Sequence, residues 1–274
     1  MTNIERHAMR QQSPGEQFYT REVAAQYENL RKDDRYWLWE NEIVERYLHE
    51  SSDVNSVADC PVGTGRFFDI YSRFNFPVVG IDISEDMLAE AKNKVPNGKT
   101  AGRYNLIKAD VSKFSGGVPV ASDLICFRLL HLISEDNLDD LVAGLSAISS
   151  RRVLLQQFTV KDYNIRRMAR RLLNAICSEK IGAVRKLKYL YRTLRALIEL
   201  PFKFRKTHGF KHKKNTFCDV TYSHRLSRVL REFARHGFFL RSSYDCLDKD
   251  HFMGESACYL SMIVSLEKAA DVGR

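Results

Sequence analysis

The sequence predicts an α/β fold: a mostly parallel sheet with helices on both faces. Three observations predict it. A short apolar run, Val54 to Ala58, is followed by the glycine turn Gly63-Thr64-Gly65 and then by the helical spacing of Arg66-Phe67-Phe68-Asp69-Ile70-Tyr71. Further apolar runs follow at 76–82, 105–111 and 123–127, with a helical pattern after most of them. The first three runs each end on or beside an acid: Asp59, Asp82 and Asp110.

The first unit points to a ligand. A glycine turn between strand and helix brings the backbone close to a nucleotide and aims the helix N-terminus at it. The dinucleotide fingerprint needs a small residue three places after the second glycine, and Phe68 stands there. Asp59 lies at the end of the strand, just before the turn. A carboxylate at that point repels a pyrophosphate and attracts a ligand carrying an ammonium or a sulfonium, which is S-adenosylmethionine. A sheet of this topology with another nucleotide, or with no ligand, is the alternative; Phe68 and Asp59 argue against NAD.

The second run, Phe76-Pro77-Val78-Val79-Gly80-Ile81-Asp82, reads as a strand ending in an acid placed to accept from both ribose hydroxyls. Ser84 then caps a helix running through Asp86, Met87, Leu88 and Ala91. Asn105 to Val111 is a third strand, with Asp110 at its tip to reach the adenine amino group, and Asp123 to Phe127 a fourth.

This series resembles the class I S-adenosylmethionine-dependent methyltransferases: the glycine motif at 59–65, the ribose acid Asp82 and Ala109-Asp110-Val111. The resemblance spans residues 19–160 well and the C-terminal strands loosely. It implies a Rossmann-like sheet of seven strands in the order 3-2-1-4-5-7-6, with an N-terminal helical cap. It also implies a cofactor site of Tyr27, Asp59, Pro61, Gly63, Thr64, Gly65, Asp82, Ile83, Met87, Asp110, Val111 and Phe127. The product would be S-adenosylhomocysteine. Pro61 departs from the family, which usually has glycine there; it suits a rigid turn whose N–H the ligand does not need.

Before the first strand, residues 16–50 read as the cap. Val23, Tyr27 and Leu30 share one helical face, Trp37, Ile43, Val44, Tyr47 and Leu48 form another run, and Asp33-Asp34 breaks between them. Ala25-Gln26-Tyr27-Glu28 resembles a family element that folds over the cofactor, and a phenol face stabilises a sulfonium. Tyr27, Tyr36, Trp37 and Trp39 serve equally as packing between cap and sheet.

After the fourth strand, Arg128-Leu129-Leu130-His131 leaves the carboxyl end of the sheet, where open α/β folds bind ligands. His131 is therefore the candidate general base for an acceptor hydroxyl. Ser134, Asp136 and Asn137 precede a helix with Leu138, Leu141, Val142, Leu145 and Ile148, and Val153 to Phe158 is the fifth strand.

A compact domain would return to the sheet after one helix, but some sixty residues intervene, and they carry the chain's charge. Residues 161–214 hold 17 Lys and Arg against 3 Asp and Glu, while the whole chain nets +9. Two apolar stripes, Ile165 to Ile176 and Leu187 to Ile198, are flanked by basic residues that include Arg166, Arg170, Lys188 and Arg192. A basic loop with interleaved aromatics follows at 203–214. Residues 161–219 thus read as a two-helix lid over the acceptor pocket, with those four residues as substrate-binding candidates. The plainer account is a solvated face, which explains the stripes but not so large an excess of one sign.

An anionic acceptor, glycan- or lipid-linked, fits this segment best, with peripheral contact at an anionic membrane surface also in keeping. RNA methylation through phosphate contacts is an alternative. Against it, the fourth strand lacks the Pro-Pro-aromatic turn shared by base-amino methyltransferases, and no Lys-Asp-Lys-Glu set marks a ribose enzyme. A cofactor-binding partner protein without catalysis is the remaining class.

Residues 220–270 close the sheet. Leu226, Val229, Leu230 and Phe233 share a helical face, Phe238 opens a strand towards Cys246, and Ala257 to Leu266 is the last. The six cysteines show no Cys-x-x-Cys pair and no metal-ligand spacing, so free thiols in a reducing cytosol and no metal are expected. Met1 to Gln12 is polar, without the apolar core of a secretory signal, and no apolar run is long enough to span a bilayer. A cytoplasmic location, with peripheral contact at the inner face of the membrane also in keeping, is the expectation.

Overall fold

The computed structural model describes residues 19–27, 35–51, 53–96, 102–114, 119–160, 224–245 and 259–269, with residues 29, 191 and 222 as single positions. The lid read at 161–219, with Arg166, Arg170, Lys188 and Arg192, lies outside these residues apart from Tyr191.

Two helices, α1 (Arg21–Gln26) and α2 (Arg35–Glu50), precede the sheet. Then come β1 (Val57–Asp59), the single turn α3 (Phe68–Tyr71), β2 (Val78–Asp82), α4 (Glu85–Lys94) and β3 (Tyr104–Lys108). The chain continues through β4 (Ala121–Cys126), α5 (Leu138–Ile148) and β5 (Ser149–Val160), and ends with β6 (His224–Arg225), α6 (Leu226–Arg235), β7 (Phe238–Asp245) and β8 (Tyr259–Lys268). The sheet order is β3-β2-β1-β4-β5-β8-β7, with β6 paired to the end of β5. Its first five strands are parallel, while β8 runs antiparallel to both β5 and β7. This is the expected order, with one addition. The two residues of β6 form a short parallel strand on Thr159 and Val160.

The two faces of the sheet carry separate cores. Trp39, Ile43, Val44 and Tyr47 of α2 pack with Phe68, Tyr71 and Ala91 on one face; Leu141, Leu145, Ile148, Val229 and Phe233 of α5 and α6 cover the other. Buried parallel strands have no solvent face, so β4 reads Ala-Ser-Asp-Leu-Ile-Cys with only Ser122 less than fully buried. Gly144 lets α5 approach closely: a Cβ there would stand 1.8 Å from the Val111 carbonyl oxygen.

Two elements differ from their sequence readings for local reasons. The third strand stops at Lys108, because Asp110 turns the chain into a 3-10 helix at Val111–Lys113 by accepting from the Ser112 N–H at 3.1 Å. The helix opening expected at Arg66 begins at Phe68, after consecutive turns through Gly63 and Gly65 at φ 56° and 73°. Such φ values suit glycine. Gly65 is also held by space, since a Cβ would meet the Phe68 ring at 2.8 Å. Phe68, the residue that breaks the dinucleotide fingerprint, thus fills the room under the turn.

No helix among the described residues is long and apolar enough to cross a membrane.

Candidate active site

A cleft of about 720 Å³, open mouth included, lies at the carboxyl ends of β1, β2 and β4. That is where an open α/β sheet places its ligand, because strand ends, turn N–H groups and helix N-termini converge there. Tyr27, Pro61, Gly63, Thr64, Asp82, Ile83, Met87 and Phe127 line it, all expected from the sequence.

Asp82 is the one carboxylate in the cleft lining among the described residues. β2 delivers it to the cleft, where its Oδ2 accepts the Gly63 N–H at 2.8 Å and its Oδ1 accepts the Ser84 N–H at 2.9 Å. Ser84 caps α4 as expected, its hydroxyl accepting the Met87 N–H at 3.2 Å. Burial pushes the Asp82 carboxyl up to about 6, opposed by the N–H groups of Ser84, Gly63 and Ile83. Gly63 itself has nothing within 4 Å of where a Cβ would stand. Its backbone is open to a ligand.

Asp59 differs from its reading. It is buried behind the turn, does not line the cleft, and accepts the Tyr71 hydroxyl on Oδ2 at 3.0 Å. Its Oδ1, equally buried, makes no hydrogen bond. Burial pushes this carboxyl up to about 8, against the pull of Tyr71 and Arg66. The sequence argument treated it as a standing negative charge; burial instead keeps it protonated near neutral pH until a cation compensates it.

This has a consequence for stability. The folded-state value lies above the ordinary carboxylate value, so the proton Asp59 holds stabilises the fold fully below about pH 4. That contribution is lost as pH rises through about 8, at up to about 1.4 kcal/mol per pH unit. The Asp59→Asn variant should therefore show a flatter decline in melting temperature between pH 6 and 9 than the wild-type protein. Parallel curves would show that the carboxyl is charged throughout.

Other expected residues stand apart from the cleft lining. Gly65 packs on Phe68, and Val111 is buried against Gly144. Asp110 is occupied locally, accepting the Ser112 hydroxyl at 2.6 Å and pairing with Lys113 at 3.2 Å. Burial raises its carboxyl, but Ser112 and Lys113 outweigh that and hold it below its ordinary value. His131 is half-buried between Leu129 and Leu132, which do line the cleft; its carbonyl accepts the Tyr222 N–H at 2.7 Å. His224 is buried beside it, Nδ1 3.0 Å from Glu135 and Nε2 within 3.1 Å of the Leu130 and Ile133 carbonyls. It braces the loop that carries His131.

Sequence reasoning missed one part of the wall. Arg66 and Arg128 line the cleft, both paired to the buried Glu40 of α2, and both flank Trp37. Tyr19, Tyr27 and Trp37 form an aromatic run over the opening, with successive ring centroids 6.1 and 6.0 Å apart. The signal available was Arg66 directly after the glycine turn and an Arg at the tip of β4. Nothing in the sequence joined either to Glu40.

Cys60 and Cys126 are buried free thiols, both pushed up first by burial. Among the described residues no group of three His, Cys, Asp or Glu side chains could hold a metal ion.

Residues 57–150 match a family model described as a methyltransferase domain. No curated protein matches the chain in sequence. Among solved structures, magnesium protoporphyrin IX methyltransferase from Synechocystis PCC 6803, with bound S-adenosylhomocysteine, gives a TM-score of 0.53 at 16% identity, over 88% of this chain and 87% of that one. The 1,6-didemethyltoxoflavin-N1-methyltransferase of Burkholderia thailandensis, also with S-adenosylhomocysteine, gives 0.53 at 12% identity, over 91% and 85%. A geranyl diphosphate methyltransferase in complex with sinefungin gives 0.52 at 9% identity, over 84% and 77%. At these identities the likeness is one of fold.

Proposed function

We propose that the chain, whose residues 57–150 match a methyltransferase-domain model, is a class I S-adenosylmethionine-dependent enzyme that moves a methyl group to an oxygen, hydroxyl or carboxylate, of an anionic acceptor. The observation that carries the cofactor half is Asp82, a cleft-lining carboxylate fixed by the N–H groups of Gly63 and Ser84. Such a group at the end of the second strand accepts from ribose hydroxyls. One further feature fits the cofactor: the open backbone of Gly63.

S-adenosylmethionine supplies an electrophilic methyl on a sulfonium. The chain's part is to bind, orient and exclude water. In this reading Asp82 holds the ribose, Ile83 and Met87 flank the adenine, and Gly63 and Thr64 allow close backbone approach. Tyr27 and Phe127, both in the cleft lining, would border the cofactor's sulfonium end, while Asp59 stays behind the turn, bonded to Tyr71. With Asp110 engaged by Ser112 and Lys113, adenine selection falls mainly on the apolar walls. Most of the rate then comes from holding two reactants in one geometry. His131 is the candidate base for a hydroxyl acceptor; a carboxylate acceptor needs none.

The acceptor half draws on charge. The 17 basic residues at 161–214, Arg166, Arg170, Lys188 and Arg192 among them, favour an anionic, glycan- or lipid-linked acceptor, and Arg66 and Arg128 add positive charge to the cleft wall. The three similar structures are named for chemically different acceptors, a porphyrin, a toxoflavin precursor and geranyl diphosphate, so the fold leaves that choice to side chains. The test is transfer of labelled methyl from S-adenosylmethionine into a fractionated cell extract. Label is expected in an acidic glycan, lipid or small-carboxylate fraction. Label in RNA, with salt-sensitive RNA binding, would move the assignment to RNA methylation. Cofactor binding with no labelled fraction would leave a binding protein.

A further inference from the structure

The loop that leaves the tip of β4 spends its polar backbone within the chain. Arg128 gives its N–H to Gln156 Oε1 at 2.9 Å. The Leu129 carbonyl accepts the Leu132 N–H at 2.9 Å, and the Leu130 carbonyl accepts the Ile133 N–H at 3.2 Å. The His131 carbonyl takes the Tyr222 N–H at 2.7 Å. His224, buried, completes the set. Its Nε2 faces the Leu130 and Ile133 carbonyls at 3.1 and 3.0 Å, and since both are acceptors it donates to them. What the loop adds to the cleft lining beyond Arg128 is two leucines, Leu129 and Leu132.

Leu132 packs in neither core. Leu129 and Ile133 beside it lie against the α5 and α6 side, whereas Leu132 is half-buried and faces the cleft alone. One such leucine says little, but the surface continues through Leu129, Phe127 and Trp37. The charged neighbours add few donors to it. Arg66 gives Nε and Nη2 to Asn41 Oδ1 at 3.0 and 2.9 Å, Nη1 to Glu40 at 2.6 Å, and Nη2 also to the Trp37 carbonyl at 2.9 Å. Arg128 gives Nε to both Glu40 oxygens. The tip of β2 is the reverse, with the Asp82 carboxylate and the open backbone of Gly63. The cleft thus has a polar end and an apolar end, with β1 between them in the sheet.

We propose that the apolar end receives a hydrocarbon skeleton, a ring or branched chain, as the part of the acceptor that bears the methylated atom. The proposal rests on the cofactor reading above, which fills the Asp82 end, and it narrows the acceptor named there to a lipid-like acid and away from a glycan. A sugar ring carries a hydroxyl on nearly every carbon. Each would leave water for a wall whose carbonyls are already taken, and one unpaired hydroxyl costs about tenfold in affinity. A hydrocarbon ring gives up no hydrogen bonds there and gains by leaving water.

Saturation-transfer NMR titration of the S-adenosylhomocysteine complex tests this with cyclohexanecarboxylate and glucuronate. Both are a carboxylate on a saturated ring; the second adds a ring oxygen and hydroxyls, so the charge is held constant. Cyclohexanecarboxylate should bind about tenfold or more tightly than glucuronate. Leu132→Asn, close in size but polar, should bring the two within about threefold, while Leu132→Met should keep the preference.

Glucuronate binding as well as the hydrocarbon acid, or better, overturns the proposal. So does a Leu132→Asn protein, folded by circular dichroism, that keeps the full preference. An uncharged pair, cyclohexylmethanol and methyl glucoside, separates skeleton from charge: binding of cyclohexylmethanol with neither acid bound would sink the anionic reading and leave the skeleton standing. Silence of both hydrocarbon compounds counts against the proposal. Failure of S-adenosylhomocysteine itself to bind would sink the cofactor reading, and the same pairs titrated on the ligand-free protein then decide the skeleton.

Discussion

Replacing Asp82 with alanine lowers the affinity for S-adenosylhomocysteine by about a hundred-fold or more in isothermal titration at neutral pH. The magnitude follows from two hydrogen bonds to a charged acceptor, each worth about 1.5–3 kcal/mol, with about 1.4 kcal/mol per tenfold. Alanine also releases the Gly63 and Ser84 N–H groups that the carboxylate fixes, loosening the turn against the ligand. Asp82→Asn keeps one acceptor oxygen and should lose less, about tenfold. The pH dependence carries the same assignment. Burial pushes this carboxyl up to about 6, and the ionised form is the better acceptor. Wild-type affinity should therefore be flat above that value and fall as pH drops below it, by about tenfold per unit at most. The Asn variant should lose this slope. An unchanged affinity in Asp82→Ala would show that the ribose sits elsewhere.

Asp82 was legible because its evidence is local: an apolar run, an acid at its end and a capping serine two residues on. Each of those contacts spans few residues, apart from the Gly63 bond 19 positions back. Asp59 was legible as an acid before a glycine turn, but its charge state was not, since that depends on Tyr71 and the helices closing over it. Asp110 shows the reverse failure. It stands at a strand tip as expected, yet Ser112 and Lys113 next to it claim its oxygens first.

The wall of Glu40, Arg66 and Arg128 was not legible at all. Its ion pairs join residues 26 and 88 positions apart, and the pairing follows from how α2 lies on the sheet. The sequence marks Glu40 merely as an acid within an amphipathic helix, where a solvated position is the ordinary outcome. Its complete burial is a tertiary fact. Strand-to-helix alternation showed a mostly parallel α/β sheet, whereas the order of its strands came from the family resemblance carried by the glycine turn and the strand-tip acids.

The second large effect lies at the other end of the strands. Asp123 is fully buried in β4 and accepts from Arg152 Nε at 2.6 Å, the Tyr47 hydroxyl at 2.7 Å and the Ser122 hydroxyl at 2.7 Å. It ties β4, β5 and α2 together. The Tyr47 hydroxyl is pushed far above its ordinary value by burial and then by the charge of Asp123, so it remains a donor to that carboxylate. Removing one partner of a buried ion pair leaves the other without compensation, at a cost of about 3–5 kcal/mol. Asp53 lies 3.2 Å from Arg152, but it is 62% exposed and its pairing is screened by water. Asp123→Ala should therefore lose about 3–5 kcal/mol in urea denaturation. A double replacement, Asp123→Leu with Arg152→Met, should recover most of the loss, because what destabilises is the stranded guanidinium and not the missing pair. Neither residue lines the cleft, so folded Asp123→Ala protein should bind S-adenosylhomocysteine as the wild type does. A loss under about 0.5 kcal/mol would place Arg152 in contact with water and remove the network from the account of how α2, which supplies Trp37 to the cleft wall and Glu40 behind it, is held on the sheet.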